Sequence, residues 1–532
     1  MRQLLFNTCA FLLFVPISPI ILLFFITLVI YRAVVTNLIK LYHGSHFQGF
    51  LEGLDAIWNV ETGSSRSMIN LMFFIETSAT PKHVSVPAKF LHGLRETVAA
   101  KLMGPHKTRP YPRLFWTRKQ TLGFCYWTND SKITINEFVR FMEPVETKGD
   151  FIDENQLREI MGKLNNQHLL DNHAACWELL VGTQPIKGKK PETVRYPVLL
   201  RLHHTAGDGM AIVRLILDTI TGNHKALAAR ISANNTKTQP GKRGLSLVQL
   251  VKMLFNGPTF ILRMMFQKSE KNCLSGGKIT ENKVISWCHE PEVSGGAKSM
   301  IEIAKSTKQL IPEARFSDIF LVALASSLHK YFEAKGEPYQ EGGVSVIVPG
   351  RAGSEAKSLK IKNRFTTRRQ MLKIGPGIQL EDPDRLAKLR QRLSEIAQGS
   401  ASTRSASSHA VVSLFISSLS SLLPAGLLRL LVSTFRANVV FSILPEIGKI
   451  SFQEHEMVGP TLFLPNTGNL SVCIAAVTFG DKVHLGILAD RSVIPSEGEA
   501  HSILQEIVGE IERMGVVLQD VPKQSAIRFE FE

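Results

Sequence analysis

An uncharged apolar segment from Gln3 to Tyr31 constrains the fold of this chain more than any other feature. It is too long for the apolar core of a signal peptide, and no small-residue cleavage site follows it. Helices that are apolar on every side are rare outside membranes, although a buried helix of a globular domain shares this pattern. We therefore predict a membrane anchor over residues 1–45.

The length of the segment leaves its path through the membrane open. A helix of about 29 residues extends about 44 Å, whereas the hydrocarbon core of a bilayer is about 30 Å thick. Pro16 and Pro19 lie near the middle of the segment, where proline kinks a helix. A tilted, bent span and a shallow hairpin with two short arms both fit, and the flanking charges do not settle the orientation.

Composition narrows the class of partner. The 532 residues carry a net charge of +16, which suits nucleic acid, an anionic membrane surface or an anionic ligand such as coenzyme A. The sequence contains no nucleic-acid-binding module, so we expect no nucleic-acid partner. The six scattered cysteines form no CxxC pair, and we expect neither a disulfide scaffold nor a metal site: Cys9, Cys125, Cys176, Cys273, Cys288 and Cys473.

Three regions follow the anchor: residues 55–222, a connector over 223–290, and residues 293–532. Between Lys225 and Lys283 the connector holds eleven Lys or Arg residues, only two acidic residues, and an apolar cluster from Leu247 to Phe266. A helix that is basic on one face and apolar on the other tends to lie on a membrane. A crossover helix packed on the protein core fits equally well.

Strands alternate with helices in both large regions, which predicts an α/β fold. Helices are expected at Ala88–Leu102 and Phe316–Phe332 and, interrupted by Pro424 and Gly426, at Val411–Phe435. Strands are expected at Val194–Leu202, at Val344–Val348 before Pro349-Gly350, and in a hairpin formed by Leu470–Thr478 and Val483–Ala489. The serines and Arg429 in Val411–Phe435 favour a buried or surface-bound helix over a second span.

The segment from Leu199 to Met210 contains the candidate catalytic residues. Its apolar residues predict a strand, and His203 and His204 follow where that strand turns. Gly207 and Gly209 suit a turn, and Asp208 can hold that turn by hydrogen bonds or by pairing with a cation. A histidine takes and returns a proton near neutral pH, as acyl transfer from a thioester to a hydroxyl requires. The alternative is a polar loop with two incidental histidines.

The pattern His-His-x-x-x-Asp-Gly after an apolar strand resembles the signature of the wax ester synthase/diacylglycerol acyltransferase family. Further segments resemble that family's motifs in the same order: an early strand segment (Ile133–Val139), "PLWE" (Asp171–Glu178), "NDV" (Phe316–Ile319), "PVSxR" (Val348–Arg351), "GN…DPxxRL" (Asn363 and Asp382–Leu386) and the start of "NVPGP" (Asn438-Val439). The chain departs from these motifs at Ser317, at Lys362 and at Val440-Phe441-Ser442.

The resemblance implies a two-domain α/β fold of the CoA-dependent acyltransferase type, similar to chloramphenicol acetyltransferase. The apolar segment adds an N-terminal membrane segment to that fold. It implies that His204 is the general base and that His203 shapes the loop. The oxyanion would be stabilised by donors that include Asn438 or backbone amides. Acyl-CoA is the expected acyl donor, no bound cofactor is expected, and the acceptor is a long-chain alcohol or diacylglycerol.

A different class of function also fits this sequence. A catalytically weak lipid-binding or lipid-droplet protein could keep the fold, and the departures in the second domain allow that alternative.

An enzyme that uses cytosolic acyl-CoA would lie on the endoplasmic reticulum or a lipid droplet, with its catalytic domain in the cytosol. The sequence leaves the acceptor, the acyl-chain preference and the oligomeric state open.

Overall fold

The computed structural model of the chain describes most of the protein. The described residues are 2–103, 109, 111–129, 134–146, 149–169, 175–188, 190–216, 255, 257–259, 262, 272–275, 279–291, 298–337, 343–351, 361, 363, 365–402, 419–434 and 436–521. The predicted basic connector therefore lies largely outside the described residues.

The described elements alternate between helices and strands. The helices are α1 (Arg2–His43), α2 (Leu54–Trp58), α3 (Val86–Leu102), α4 (Ile135–Phe138), α5 (Glu154–Asn166), α6 (Gly209–Ile216), α7 (Met300–Lys308), α8 (Phe316–Ala334), α9 (Arg385–Ser402), α10 (Ala425–Thr434) and α11 (Glu497–Val517). The first strands are β1 (Phe47–Phe50), β2 (Met68–Ser78), β3 (Thr117–Thr121), β4 (Phe124–Thr128), β5 (Val139–Phe141), β6 (Trp177–Val181), β7 (Ile186–Lys187) and β8 (Thr193–His203). The later strands are β9 (Lys283–His289), β10 (Val344–Arg351), β11 (Phe365–Leu372), β12 (Val439–Ile447), β13 (Ser451–Phe452), β14 (His455–Phe463), β15 (Val472–Phe479) and β16 (Lys482–Asp490).

These strands form three sheets. The first large sheet has the order β13-β14-β2-β8-β6-β5, with β7 paired to β8, and the second has the order β11-β10-β12-β15-β16-β9. A small sheet has the order β1-β4-β3. In the first sheet β8 pairs antiparallel with both β2 and β6, so that its last residue, His203, lies opposite Met68. The α/β class is confirmed.

The two large sheets are joined at their cores. Side chains of the first sheet, such as Phe74 and Leu199, pack in one buried cluster with Trp287 of β9 and Leu488 of β16. The backbones approach closely there, because a Cβ added at Gly486 would lie 2.6 Å from the Leu462 carbonyl oxygen. Strand β14 belongs to the first sheet although it lies late in the chain, so the sheets interlock.

The N-terminal segment forms one helix that continues through Pro16 and Pro19, rather than the hairpin that the prolines also allowed. It is long and apolar enough to cross a membrane, and most of its side chains are exposed. Its C-terminal third packs on the small sheet, where Val35 and Ile39 contact Phe124 and Tyr126 in a buried cluster. The helix is therefore docked on the folded domain.

Most of the predicted elements are confirmed, with shifted ends. The helices predicted at Ala88–Leu102 and Phe316–Phe332, the strand at Val194–Leu202 and the hairpin at Leu470–Ala489 are all present as α3, α8, β8 and β15–β16. For Val411–Phe435, residues 411–418 and 435 lie outside the described residues, and α10 begins directly after Pro424.

Four boundary predictions were wrong. Strand β10 continues through Pro349-Gly350 to Arg351, because its antiparallel partner β11 runs alongside it. The segment at Ile135–Phe138 is a helical turn that a Thr134–Glu137 capping box stabilises, and the strand starts only at Val139. The end of the predicted connector is β9 of the second sheet, and β13 and β14 of the predicted C-terminal domain belong to the first sheet.

Candidate active site

The end of β8 fixes the backbone of both histidines. The His203 N–H donates to the Cys176 carbonyl, and the His204 N–H donates to the Ser67 carbonyl, each at 2.7 Å. Consecutive residues of an extended chain point to opposite sides, so the two imidazoles meet different surroundings. The turn at residues 204–206 then leads into α6.

A side-chain amide from the second domain holds the imidazole of His204. Asn363 lies just before β11, and its Oδ1 is 2.9 Å from Nδ1 of His204. Its Nδ2 donates to the His204 carbonyl at 2.5 Å and to Oδ1 of Asp55 at 2.8 Å. A carbonyl and a carboxylate only accept hydrogen bonds. The amide nitrogen must therefore face them, and Oδ1 accepts the proton on Nδ1 of His204.

This arrangement selects one tautomer of His204. With the proton on Nδ1, the lone pair of the ring lies on Nε2, as a general base requires. The imidazole is buried, with 6% of the residue exposed. Burial lowers the pKa of His204 to about 3, because a charged ring would lose its hydration. The ring is thus neutral over the whole physiological range of pH.

The residues of α2 form the wall behind this hydrogen-bonded pair. Asp55 is buried and pairs with Arg113, whose Nη1 is 2.7 Å from Oδ2. Burial raises the pKa of Asp55, while Arg113 and Asn363 oppose that rise. Trp58, one helical turn after Asp55, stacks on His204 with ring centroids 3.8 Å apart and planes 8° from parallel. The α2 residues therefore fix both the ring plane and the amide that contacts it.

His203 lies in a separate polar cluster. Its Nδ1 lies 3.2 Å from the Thr205 backbone nitrogen, and its Nε2 lies 3.0 Å from Oε1 of Glu61. The guanidinium of Arg118 lies 2.8 Å from the same nitrogen. Burial and Arg118 together lower the pKa of His203 to about 4. Burial alone would raise the pKa of Glu61, but His203 and Arg118 lower it well below its usual range.

The remaining motif residues shape the turn. Asp208 Oδ1 accepts from the Ala211 N–H at 2.9 Å, which caps the first turn of α6. A Cβ at Gly207 would lie 2.6 Å from Ile361, so glycine allows the second domain to approach here. Neither Gly207 nor Gly209 has a positive φ. Glycine at 207 is required by crowding, and not by the backbone conformation that the sequence pattern suggested.

Asn438 lies at the start of β12 in the second domain. Its Oδ1 accepts from the backbone and hydroxyl of Ser345, each at 2.9 Å, and its Nδ2 lies 3.3 Å from Oδ1 of Asn272. The contacts described for Asn438 join neighbouring segments and do not include His204. Its assignment as an oxyanion donor stays a prediction.

Sequence reasoning missed the residues that hold the two histidines. Asn363 was named only within a motif, and the others were not named: Asp55, Trp58, Glu61, Arg113 and Arg118. Each is a single polar or aromatic residue far along the chain from the histidines, so no periodic pattern marks it. Their convergence follows only from the way the two domains meet.

Replacing Asn363 tests the hydrogen bonds to His204. Asn363→Asp keeps the shape of the side chain but replaces the donating nitrogen with an acceptor that faces Asp55. We expect turnover to fall by about 10²-fold with the fold retained, since a small misplacement of a reacting group has this effect. Thr366→Ala, which removes a hydroxyl at the second residue of β11, the strand that follows Asn363, is the matched control. Wild-type turnover in Asn363→Asp would contradict this role.

Comparison with known proteins finds one matching family domain and several proteins of similar fold. Residues 378–514 match the model of the WS/DGAT C-terminal domain. The wax ester synthase/diacylglycerol acyltransferase from Marinobacter aquaeolei VT8 has a similar structure, with a TM-score of 0.53 at 15% identity over 88% of this chain and 99% of that chain. The trichothecene 15-O-acetyltransferase from Fusarium sporotrichioides has a TM-score of 0.54 at 12% identity, covering 87% and 95%. No curated protein matches this sequence.

These comparisons confirm the two-domain α/β fold of the CoA-dependent acyltransferases that the motif resemblance implied. The family match falls in the C-terminal region, which contains α9, α10 and the strands from β12 to β16. The similarity in fold to the Marinobacter protein extends over 88% of this chain. The C-terminal region is therefore similar to the C-terminal domain of the wax ester synthase/diacylglycerol acyltransferase family, and the chain as a whole is similar to these two acyltransferases in fold.

Proposed function

We propose that the protein transfers a fatty acyl group from acyl-CoA to a lipid alcohol, with His204 as the general base. The observation that carries this proposal is the pair of hydrogen bonds from Asn363, which place the proton of His204 on Nδ1 and the lone pair on Nε2. An acyl transfer between a thioester and a hydroxyl needs one group that takes a proton and later returns it.

The reaction follows from that tautomer. Nε2 of His204 takes the proton of the acceptor hydroxyl as its oxygen attacks the thioester carbonyl. The tetrahedral intermediate then collapses, the carbon–sulfur bond breaks, and the CoA thiolate takes the proton back from Nε2. No acyl-enzyme is needed, and the chain contains no Gly-x-Ser-x-Gly elbow that would supply a serine nucleophile.

Several groups could stabilise the oxyanion of the intermediate. Asn438 and backbone amides are the donors that the family resemblance suggests. Trp58 adds another candidate, since its buried indole N–H has no hydrogen-bond partner within the described residues and its ring lies against His204. A donor that is already fixed in place costs no reorganisation when the charge develops.

The N-terminal helix suits an enzyme whose acceptor is a lipid. Phe25 and Leu28 pack on the core of the catalytic domain, which leaves residues 3–24 for the membrane. About 22 helical residues extend about 33 Å, close to the thickness of the hydrocarbon core. Phe255 of the connector contacts Phe11 within this part, with ring centroids 5.7 Å apart, which favours the membrane alternative for the connector.

Product analysis tests the proposed activity. Membranes containing the protein receive labelled acyl-CoA together with either a long-chain alcohol or diacylglycerol. We expect labelled wax ester or triacylglycerol from the wild type. His204→Ala should lower the yield by about 10²–10⁴-fold at unchanged expression, the range for a lost general base. His203→Ala, which leaves Nε2 of His204 in place, is the comparison variant.

The outcome also separates the two classes of function. An absence of labelled ester with both acceptors would favour the lipid-binding or lipid-droplet protein that keeps the fold. Near-normal turnover in His204→Ala would contradict the assigned base while leaving the acyltransferase activity in place.

The pH dependence of kcat/KM reports the protonation of the base in the free enzyme. A general base must be unprotonated, and burial lowers the pKa of His204 to about 3. The loss of activity on the acid side is therefore expected well below the ordinary histidine range. We expect kcat/KM to stay flat from neutral pH down to about pH 5. An acid limb with its midpoint near 6.5 would show that the base titrates as an exposed histidine.

We place the protein on the endoplasmic reticulum or a lipid droplet, with His204 on the cytosolic side where acyl-CoA is made and used. Three glycosylation sequons test this orientation, at Asn129, Asn234 and Asn469. None of them should carry a glycan if the domain is cytosolic. A mobility shift on glycosidase treatment, lost when these asparagines become Gln, would place the domain in the lumen instead.

A further inference from the structure

Two leucines stand exposed on the outer face of α10. Leu427 and Leu430 have 39% and 66% of their surface exposed, whereas Ala425 and Leu428 on the opposite side of the helix are buried. Arg429 is exposed on the same helix, about 100° around its axis from Leu430. An apolar face with a flanking cation is the pattern of a helix that lies at a membrane surface.

A third exposed leucine lies beside this helix in an unusual backbone conformation. Leu122, 48% exposed, has a φ of +49° in the two-residue turn between β3 and β4. Turns of this kind favour Asn or Gly at that position, because a larger side chain is strained there. Strain of this kind persists where the surroundings or a function require it. Here it keeps an apolar side chain at the tip of the hairpin.

The same turn connects α10 to the proposed membrane helix. On one side, the Tyr31 hydroxyl donates to the Leu122 carbonyl at 3.1 Å. On the other side, the Ala425 N–H donates to the Gly123 carbonyl at 2.6 Å. Tyr31 ends the uncharged run of α1, and tyrosine is enriched at the interface between membrane and water. Tyr31 lies seven residues, about 10 Å along the helix, beyond the part of α1 assigned to the hydrocarbon core, so the three leucines adjoin the part of α1 expected at the membrane–water interface.

The segment before α10 also contacts the candidate active site. The Gly53 N–H donates to Oγ of Ser421 at 2.8 Å, and Oγ of Ser420 donates to the Gly53 carbonyl at 2.7 Å. Gly53 directly precedes α2, the helix that supplies Asp55 and Trp58 beside His204. The α10 segment thus lies between the exposed leucines and the wall of the site.

We propose that Leu122, Leu427 and Leu430 form a membrane-contact patch that lies on the lipid bilayer entered by α1. The patch holds the α2 side of the active site at the bilayer, so that a lipid alcohol reaches His204 without crossing water. This inference rests on the proposed function and on the membrane anchor. Its occupant is a lipid surface, because the patch is continuous with the anchor helix through Tyr31.

Photochemical labelling of the full chain in phosphatidylcholine vesicles tests the contact. Benzoylphenylalanine replaces Leu430, Leu22 in the exposed face of α1 (61% exposed), or Val516 at the end of α11 (38% exposed). We expect phospholipid adducts at positions 430 and 22 and none at 516. Adducts at 22 but not at 430 would overturn the patch. A failure at both positions would overturn the anchor on which the patch rests.

A kinetic comparison separates the patch from the chemistry. Leu427→Asp/Leu430→Asp should raise KM for hexadecanol carried in vesicles by about tenfold or more, with kcat/KM for dissolved hexanol unchanged. Val516→Asp is the matched control and should change neither. An unchanged KM for the vesicle-borne alcohol in the double variant would contradict the proposal. An absence of ester from both hexadecanol and diacylglycerol in the wild type would instead contradict the proposed function.

Discussion

The hydrogen bonds between Asn363 and His204 join the two domains at one imidazole. Only one orientation of the Asn363 amide satisfies its hydrogen bonds. Its nitrogen faces two groups that only accept hydrogen bonds, the His204 carbonyl and the Asp55 carboxylate. Its oxygen is then the acceptor for Nδ1 of His204. The position of a single proton on the ring is thus determined by a residue that lies far along the chain, and not by the motif that contains the histidine.

The fold around Asn363 and His204 excludes water from the two side chains and fixes their positions. His204 directly follows β8 of the first sheet, Asn363 lies just before β11 of the second, and Gly207 lets Ile361 approach the turn after His204. Asp55 is buried beside Arg113, so that removing either partner would leave an unpaired charge in the interior. Trp58 covers one face of the ring. Strand β14 lies in the first sheet and packs against β16 of the second. The interlocked sheets therefore hold the two domains in a fixed relative position.

Much of this could be predicted from sequence. The strand before the histidines, the helix after them and the hairpin near the C-terminus follow from local periodicity. The chemistry of the histidine motif pointed to two candidate bases, and the family resemblance selected His204. The connector boundary failed because β9 begins at Lys283, within the run of basic residues, so composition alone does not separate the strand from the segment before it. Asn363, Asp55 and Trp58 could not be assigned roles, since their meeting depends on the tertiary approach of three separate segments and leaves no local signal.

A double-mutant cycle between Asn363 and His204 tests the central claim most directly. If Asn363 acts only by fixing His204, then Asn363→Ala should lower ester formation from acyl-CoA in the wild-type background and have no further effect in His204→Ala. Groups that act as one unit show this lack of additivity. Equal fold losses from Asn363→Ala in both backgrounds would contradict the account, because they would show that Asn363 contributes independently of the imidazole it contacts.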